Sequence, residues 1–118
     1  MNPNYKSEEG SESNYWDWNG FKIFWSVRGK ENLHPMILLH GFGASSKHWR
    51  YNYNYFAKKG YSVYSIDLIG FGNSAQPGIS EIGKLDNGVW CNQISDFITQ
   101  VIRPKTNNKI ILIGNSLG

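Results

Sequence analysis

Five residues near the end of the chain, Gly114-Asn115-Ser116-Leu117-Gly118, have the spacing of a nucleophilic serine held on a tight turn. The G-x-S-x-G pattern places its serine on a sharp strand-to-helix turn, where the hydroxyl stands clear of a sheet. Small residues are expected at Gly114 and Gly118 because the turn brings these two positions close together. The pattern is common in unrelated turns, but here it directly follows the apolar run 109–113. We therefore predict that Ser116 is a catalytic nucleophile.

A second glycine-rich turn, His40-Gly41-Phe42-Gly43, follows an earlier apolar run. In acyl transfer, negative charge develops on the carbonyl oxygen, and backbone N–H groups that are fixed in advance stabilise it. A turn that contains Gly41 and Gly43 at the end of a strand can present the N–H of Phe42 to that oxygen, with the N–H of Leu117 as the second donor. We predict an oxyanion hole from these two donors. The alternative for the motif alone is an ordinary strand-to-helix turn.

The segment Asp67-Leu68-Ile69-Gly70-Phe71-Gly72-Asn73-Ser74 begins directly after a third apolar run. Gly70 and Gly72 allow the backbone to fold back tightly at the carboxyl edge of a sheet, where α/β proteins bind their ligands. A carboxylate at the start of such a turn accepts hydrogen bonds from nearby backbone N–H groups. We therefore predict that Asp67 braces its own loop and has a structural role.

The hydropathy pattern places a strand in front of each of these turns. Asn19-Gly20 favours a two-residue hairpin between 15–18 and 21–28, because both residues tolerate positive φ. The continuous apolar run 36–39 is typical of a strand buried on both faces of a parallel sheet. Two further strands are predicted, over 61–66 and 109–113.

Two helices are predicted between these strands. The first is capped by a serine at 45 or 46, runs to about 59 and is stopped by Gly60. The second covers 89–102 and follows the loop 68–88, whose length is typical of a functional loop. The order is therefore hairpin, strand, helix, strand, helix, strand. It predicts an α/β fold with a mostly parallel sheet, right-handed crossovers and helices on both faces.

Composition indicates a single globular domain. The chain has 118 residues, of which 40% are hydrophobic, and this is enough for one core. Residues 1–13 lack apolar periodicity and are predicted to form a mobile tail, with the domain over 14–118. The formal net charge is +3, and the basic residues are scattered rather than arranged in a stripe, which argues against nucleic acid as a partner.

The number and spacing of the cysteine and histidine residues bear on the cellular compartment and on the presence of a metal site. Cys91 is the single cysteine and has no partner for an internal disulfide, so a reducing compartment fits best. We expect its side chain to be partly buried in a helix. The sequence shows no apolar run of bilayer length, no secretory signal and no metal-ligand spacing. We predict a cytoplasmic protein without a metal, a cofactor or a transmembrane segment; the oligomeric state stays open.

Together, the three turns resemble the α/β-hydrolase superfamily in their order and in their places on the strand ends, from residue 16 to residue 118. The resemblance makes the hairpin the first two strands, His40-Gly41-Phe42-Gly43 the oxyanion loop and Ser116 the nucleophile of an esterase. It looks most like the cyanobacterial and plant branch of pheophytinase and chlorophyll dephytylase, which remove a phytyl chain. A small apolar ester is thereby implied as substrate. The residues that support this branch are Trp16-Asp17-Trp18-Asn19-Gly20, Leu39-His40-Gly41-Phe42-Gly43-Ala44 with Trp49, Asp67 to Ser74 with Pro77, and Gly114 to Gly118.

In this superfamily a catalytic acid and then a histidine follow the serine along the chain. The given sequence has no residue after Gly118, so we expect both partners to lie beyond it and the domain to be incomplete as given. A triad is defined by geometry and roles, and we do not assemble one from Ser116, His40 and Asp67. The resemblance gives His40 a structural or pocket-lining role. The alternative is a truncated product without catalytic activity.

A dinucleotide-binding domain is the alternative from another class. The order of strand, Gly41-Phe42-Gly43, helix, strand and Asp67 imitates the layout of a Rossmann unit. However, Ser46 stands where the third glycine of that motif belongs, and His40 stands where the turn begins. This interpretation also leaves the serine turn at Ser116 unexplained, so we prefer the hydrolase.

Overall fold

The computed structural model describes residues 11–40, 52–76 and 87–114. Over these residues the chain forms one five-stranded sheet with helices packed on it. The elements in chain order are β1 (Ser11–Trp18), β2 (Phe21–Arg28), β3 (His34–Leu39), α1 (Tyr53–Lys58), β4 (Tyr61–Ile66), α2 (Asn87–Phe97) and β5 (Ile111–Gly114). α2 continues directly into a π-helical turn over Ile98–Ile102.

The strand order in the sheet is β1-β2-β4-β3-β5. β3 pairs in parallel with β4 and with β5, whereas β1 with β2 and β2 with β4 are antiparallel. The predicted α/β fold, a hairpin followed by a mostly parallel sheet with flanking helices, is therefore confirmed, since both ladders of β3 are parallel. The described sheet as a whole is mixed, because the hairpin strand β2 joins the edge of β4 and adds a second antiparallel ladder.

The hairpin turn has the geometry expected for Asn-Gly. Asn19 and Gly20 have φ of 52° and 87°, and the N–H of Gly20 donates to Asp17 Oδ1 at 2.9 Å. β1 begins at Ser11, three residues before the predicted start of ordered structure, because residues 11–13 pair with residues 26–28 of β2. Backbone pairing needs no apolar pattern, so no local sequence pattern marks this extension of β1. Residues 1–10 of the predicted tail lie outside the described part of the chain.

Alternate residues of β3 and β4 pack into two cores on opposite faces of the sheet, as the continuous apolar runs predict. On one face, Ile37 and Tyr64 join the aromatic side chains of the hairpin and of α2. On the other face, Leu38 and Val63 pack with Tyr53 of α1. The helices therefore lie on both faces. α1 ends within one residue of its predicted end, and the predicted first part of that helix lies outside the described residues.

Two tryptophans of β1 attach α2 to the hairpin. Trp16 Nε1 donates to Gln100 Oε1 at 2.9 Å, and Trp18 Nε1 donates to Asp96 Oδ2 at 2.8 Å. Phe97 of α2 is fully buried and makes an edge-to-face contact with the Trp16 ring at 5.5 Å. These contacts fix the helix over the sheet and so determine where its other side chains meet the carboxyl edge.

Candidate active site

Three neighbouring strands end at the same level of the sheet. In the register of the ladders, Leu39 of β3 lies beside Ile66 of β4 on one side and beside Gly114 of β5 on the other. Adjacent strands are about 4.8 Å apart, and parallel strands direct their carboxyl ends to one edge. The chain therefore leaves the sheet side by side at the Asp67 loop, at His40 and just after Gly114.

His40 follows β3 and is completely buried. Its Nε2 accepts a hydrogen bond from the backbone N–H of Leu68 at 3.0 Å, and its ring lies edge-on to Phe71 at 5.3 Å. This bond links the residue that precedes the Gly41 turn to the loop after β4. His40 is thereby engaged with a backbone group at the nitrogen that a catalytic base would use.

Asp67 is also buried, with 1% of its surface exposed. Its Oδ2 accepts a hydrogen bond from the N–H of Asn73 at 2.9 Å, across the loop that it begins. Its own N–H donates to the carbonyl oxygen of Phe24 at 2.9 Å. The carboxylate thus points into its own loop, rather than toward solvent where a bound nucleotide would need it.

The loop over residues 67–75 folds back on itself as the glycines predict. Gly70 and Gly72 have φ of 94° and 54°, and the N–H of Gly70 donates to the carbonyl oxygen of Ala75 at 2.8 Å. Ser74 joins the two ends of the loop to β2, because its hydroxyl donates to the carbonyl oxygen of Asp67 and accepts from the N–H of Phe24.

Two side chains of α2 hold the same loop from above. Gln93 Oε1 accepts from the N–H of Ile69 at 3.1 Å, and Trp90 Nε1 donates to the carbonyl oxygen of Ile69 at 3.0 Å. The hydropathy pattern did not predict these two contacts. One feature of the sequence could have indicated the Gln93 contact: this glutamine lies beside Ile94, in the apolar stripe of the predicted helix, and a polar side chain at such a position needs a buried partner.

Several predicted site residues lie outside the described part of the chain. They are Gly41, Phe42 and Gly43 of the oxyanion turn, and Ser116, Leu117 and Gly118 of the serine turn. Gly114 is described and is the last residue of β5. The structure therefore describes the ends of the strands that both predicted turns follow, and it describes the hydrogen bonds around His40.

Residues 11–40, 52–76 and 87–114 contain no group of three metal-ligating side chains and no helix long and apolar enough to span a membrane. Cys91 is exposed, so the expectation of partial burial was wrong; it lies on the side of α2 that faces away from the sheet core. A groove of about 520 Å³ lies between the hairpin turn and α2, and its described lining includes Trp18, Asn19 and Asp96.

A sequence model of the alpha/beta hydrolase fold matches residues 34–118. The chain belongs to this family. The match begins with β3 and includes all three turns, and the strand ends that carry them are aligned in the structure. The match to this family argues against the alternative of a dinucleotide-binding domain.

Curated relatives of this hydrolase-fold chain include enzymes that act on different bonds. A putative esterase/lipase of Mycoplasma pneumoniae is 30% identical over 98 residues, which are 83% of this chain and 34% of the relative. Epoxide hydrolase 3 of Xenopus tropicalis is 30% identical over 100 residues, which are 85% of this chain and 25% of the relative. The chain thus spans about a third or less of these relatives' lengths.

A solved structure shows the same fold. The thioesterase domain from the curacin biosynthetic pathway superposes with a TM-score of 0.79 over 92% of this chain and 36% of that domain. The two sequences are 21% identical over this region. At that identity the superposition establishes the fold, and the chemistry has to be argued from the residues themselves.

Proposed function

We propose that the full-length protein is a serine hydrolase that cleaves an ester or a related acyl bond through an acyl-enzyme on Ser116. The observation that supports this best is the register of the sheet, in which Leu39 lies beside Gly114. Because of this register, the His40-Gly41-Phe42-Gly43 turn and the Ser116 turn follow neighbouring strands that end at the same level of the sheet. A nucleophile and an oxyanion hole need this proximity, because one carbonyl group must reach both.

In the proposed mechanism, the Ser116 hydroxyl attacks the carbonyl carbon of the substrate while a histidine accepts its proton. The N–H groups of Phe42 and Leu117 stabilise the oxyanion of the tetrahedral intermediate. The intermediate collapses, the alcohol leaves with the proton from the histidine, and water then hydrolyses the acyl-enzyme. The proposal takes the histidine and its acid from sequence that follows Gly118, in the chain order of this fold.

The proposed substrate is an apolar ester that is a small molecule rather than a macromolecule. The half-buried ring of Phe71, which lies against His40, supports an apolar wall next to the oxyanion turn. A phytyl or similar long-chain ester is the class that the motif resemblance to pheophytinase and chlorophyll dephytylase favours. The reaction requires no cofactor. We also propose a cytoplasmic location, which the exposed free thiol of Cys91 supports.

Replacement of the nucleophile tests this proposal. In the full-length protein, Ser116→Ala should lower kcat for p-nitrophenyl esters by about 10⁴-fold or more, because the acyl-enzyme cannot form. Ser13→Ala is the matched control, since Ser13 is an exposed residue of β1. Epoxide substrates are run in parallel. Equal ester hydrolysis by Ser116→Ala and wild type, or epoxide turnover that survives this substitution, would contradict the proposed mechanism.

The 118-residue chain by itself provides a second test. It contains Ser116 and Phe42 but no Asp, Glu or His after the serine. We expect it to show negligible triad-dependent turnover of the same esters when it is purified. Turnover by this chain that disappears in its Ser116→Ala variant would mean that the base lies within residues 1–118 and would refute our assignment of the partners.

A further inference from the structure

Gln93 is a completely buried amide on the sheet-facing side of α2. Its Oε1 accepts the N–H of Ile69, while its Nε2 has no hydrogen-bond partner in the part of the chain that the structure describes. A buried side-chain amide with one group left without a hydrogen bond lowers the stability of the fold, unless the bond made by its other group offsets that cost. The bond to Ile69 is therefore the feature that explains a glutamine in this apolar environment.

Ile69 is held at both of its backbone polar groups. Trp90 lies three residues before Gln93 on the same side of α2, and its Nε1 donates to the carbonyl oxygen of Ile69 at 3.0 Å. Gln93 holds the N–H of the same residue at 3.1 Å. Since α2 is itself anchored to the hairpin by Trp16 and Trp18, the position of Ile69 follows from the position of the helix.

The next contact continues toward the oxyanion turn. Leu68 precedes Ile69, and its N–H donates to His40 Nε2 at 3.0 Å. The Phe71 ring contacts residues at both ends of this series: its centroid is 5.3 Å from that of the His40 ring and 5.6 Å from that of the Trp90 ring. His40 is followed directly by Gly41, where the turn begins. A series of buried hydrogen bonds therefore links Gln93 to His40, two residues before the proposed oxyanion donor Phe42.

We propose that Gln93 is a positioning residue for the proposed active site: through Ile69 and Leu68 it holds His40, the residue from which the predicted oxyanion turn begins. This rests on the proposed serine-hydrolase function. Oxyanion donors act only when they are preorganised within hydrogen-bonding distance of the developing charge. A displacement of about 1 Å costs roughly 10²-fold in rate. Gln93 contacts no substrate in this scheme and acts on the transition state through the turn.

The test compares variants of the full-length enzyme per active site, and the active sites are counted with a fluorophosphonate, which phosphonylates the nucleophilic serine with loss of fluoride. Gln93→Met keeps the length of the side chain and removes the acceptor for the Ile69 N–H. We expect kcat for p-nitrophenyl esters to fall about 10- to 100-fold with KM within roughly twofold. Affinity for a trifluoromethyl ketone should fall by about the same factor as kcat/KM, because this transition-state analogue uses the same donors.

Two further variants separate the hydrogen bond from general packing. Gln93→Glu should recover most of the activity, because a buried carboxyl group stays protonated and its carbonyl oxygen still accepts the Ile69 N–H. Asn92→Met, on an exposed neighbour in α2, is the matched control and should leave all three parameters unchanged. Trp90→Phe removes the other bond to Ile69 and keeps an aromatic ring; it should give a smaller loss of the same kind, and it decides the question if Gln93→Met does not fold.

The outcomes are distinguishable. Gln93→Met could lower only the number of active sites that react with the phosphonate, while the remaining sites keep the wild-type kcat and the wild-type affinity for the analogue. That result would show that Gln93 only stabilises the fold. A rise in KM alone would place its effect on substrate binding. Either result overturns the positioning role when Ser116→Ala is inactive in the same assay. Full activity of Ser116→Ala would overturn the proposed function and this inference together.

Discussion

The two segments that flank His40 at the carboxyl edge of the sheet are held in different ways. On one side, the loop over 67–75 is fixed by β2, by His40 and by two side chains of α2. On the other side, β5 pairs with β3 alone in the described part of the chain. Ile111 and Leu112 of β5 remain 41% and 51% exposed, whereas Leu68 and Ile69 of the loop are completely buried.

This difference separates the two halves of the proposed active site. The surroundings of the oxyanion turn are built from hydrogen bonds between buried side chains and backbone, all within the described residues. Within the same described residues, β5, which leads to Ser116, is held by one ladder of hydrogen bonds with β3 and by the partial burial of Ile113. Substitutions in the loop should therefore affect folding strongly, and substitutions on the outer residues of β5 should affect it weakly.

The largest effect is expected at Ser74, which is 5% exposed. Ser74→Ala removes the donor to the Asp67 carbonyl oxygen and the acceptor of the Phe24 N–H. Because two buried backbone groups lose their partner, we expect the free energy of unfolding to fall by about 2–3 kcal/mol. Urea denaturation followed by tryptophan fluorescence measures this change.

Ser13→Ala serves as the control for this substitution, since the same side chain is removed from an exposed position of β1. It should change the free energy of unfolding by less than about 0.5 kcal/mol. Equal effects of the two substitutions would mean that the loop after β4 is no better fixed than the surface of the hairpin, and the contrast with β5 would lose its basis.

The comparison also shows which features a sequence reveals. The Asn19-Gly20 turn and the apolar runs of β3 and β4 follow from local preferences, and the structure has them where they were predicted. The contacts of Ser74 with Phe24 and of Gln93 with Ile69 join residues 50 and 24 positions apart. Such pairs leave no local pattern, because the partner is a backbone group that every residue possesses. The framework of the site was therefore predictable, and the side chains that hold it were not.

An intermediate effect is expected at Gly70, whose φ is 94°. Gly70→Ala forces a side chain into a backbone conformation that L-residues avoid, at a cost of about 1–2 kcal/mol. The matched control is Gly88→Ala, at an exposed position in the first turn of α2. Alanine is the better helix former, so this control should raise the free energy of unfolding by about 0.5–1 kcal/mol. Opposite signs in urea denaturation support the loop geometry; a stabilising Gly70→Ala would contradict it.

The smallest effect on stability is expected at Leu112, on the outer strand of the described sheet. Leu112→Lys should change the free energy of unfolding by less than about 0.5 kcal/mol, because the side chain is 51% exposed. It should nevertheless slow aggregation of the 118-residue chain, since a charge on an exposed apolar strand discourages pairing with a second chain. Light scattering over time, together with urea denaturation, measures both quantities.

Leu33→Lys is the decisive control for this last effect. Leu33 is 70% exposed and precedes the ladder of β3 with β5, which runs from Met36 to Leu39, so the substitution adds the same charge without changing a residue of β5. Slower aggregation in Leu112→Lys than in Leu33→Lys would locate the aggregation-prone surface on β5. Equal slowing would mean that net charge alone controls aggregation, and a large loss of stability in Leu112→Lys would mean that β5 is held as firmly as the loop on the other side of His40.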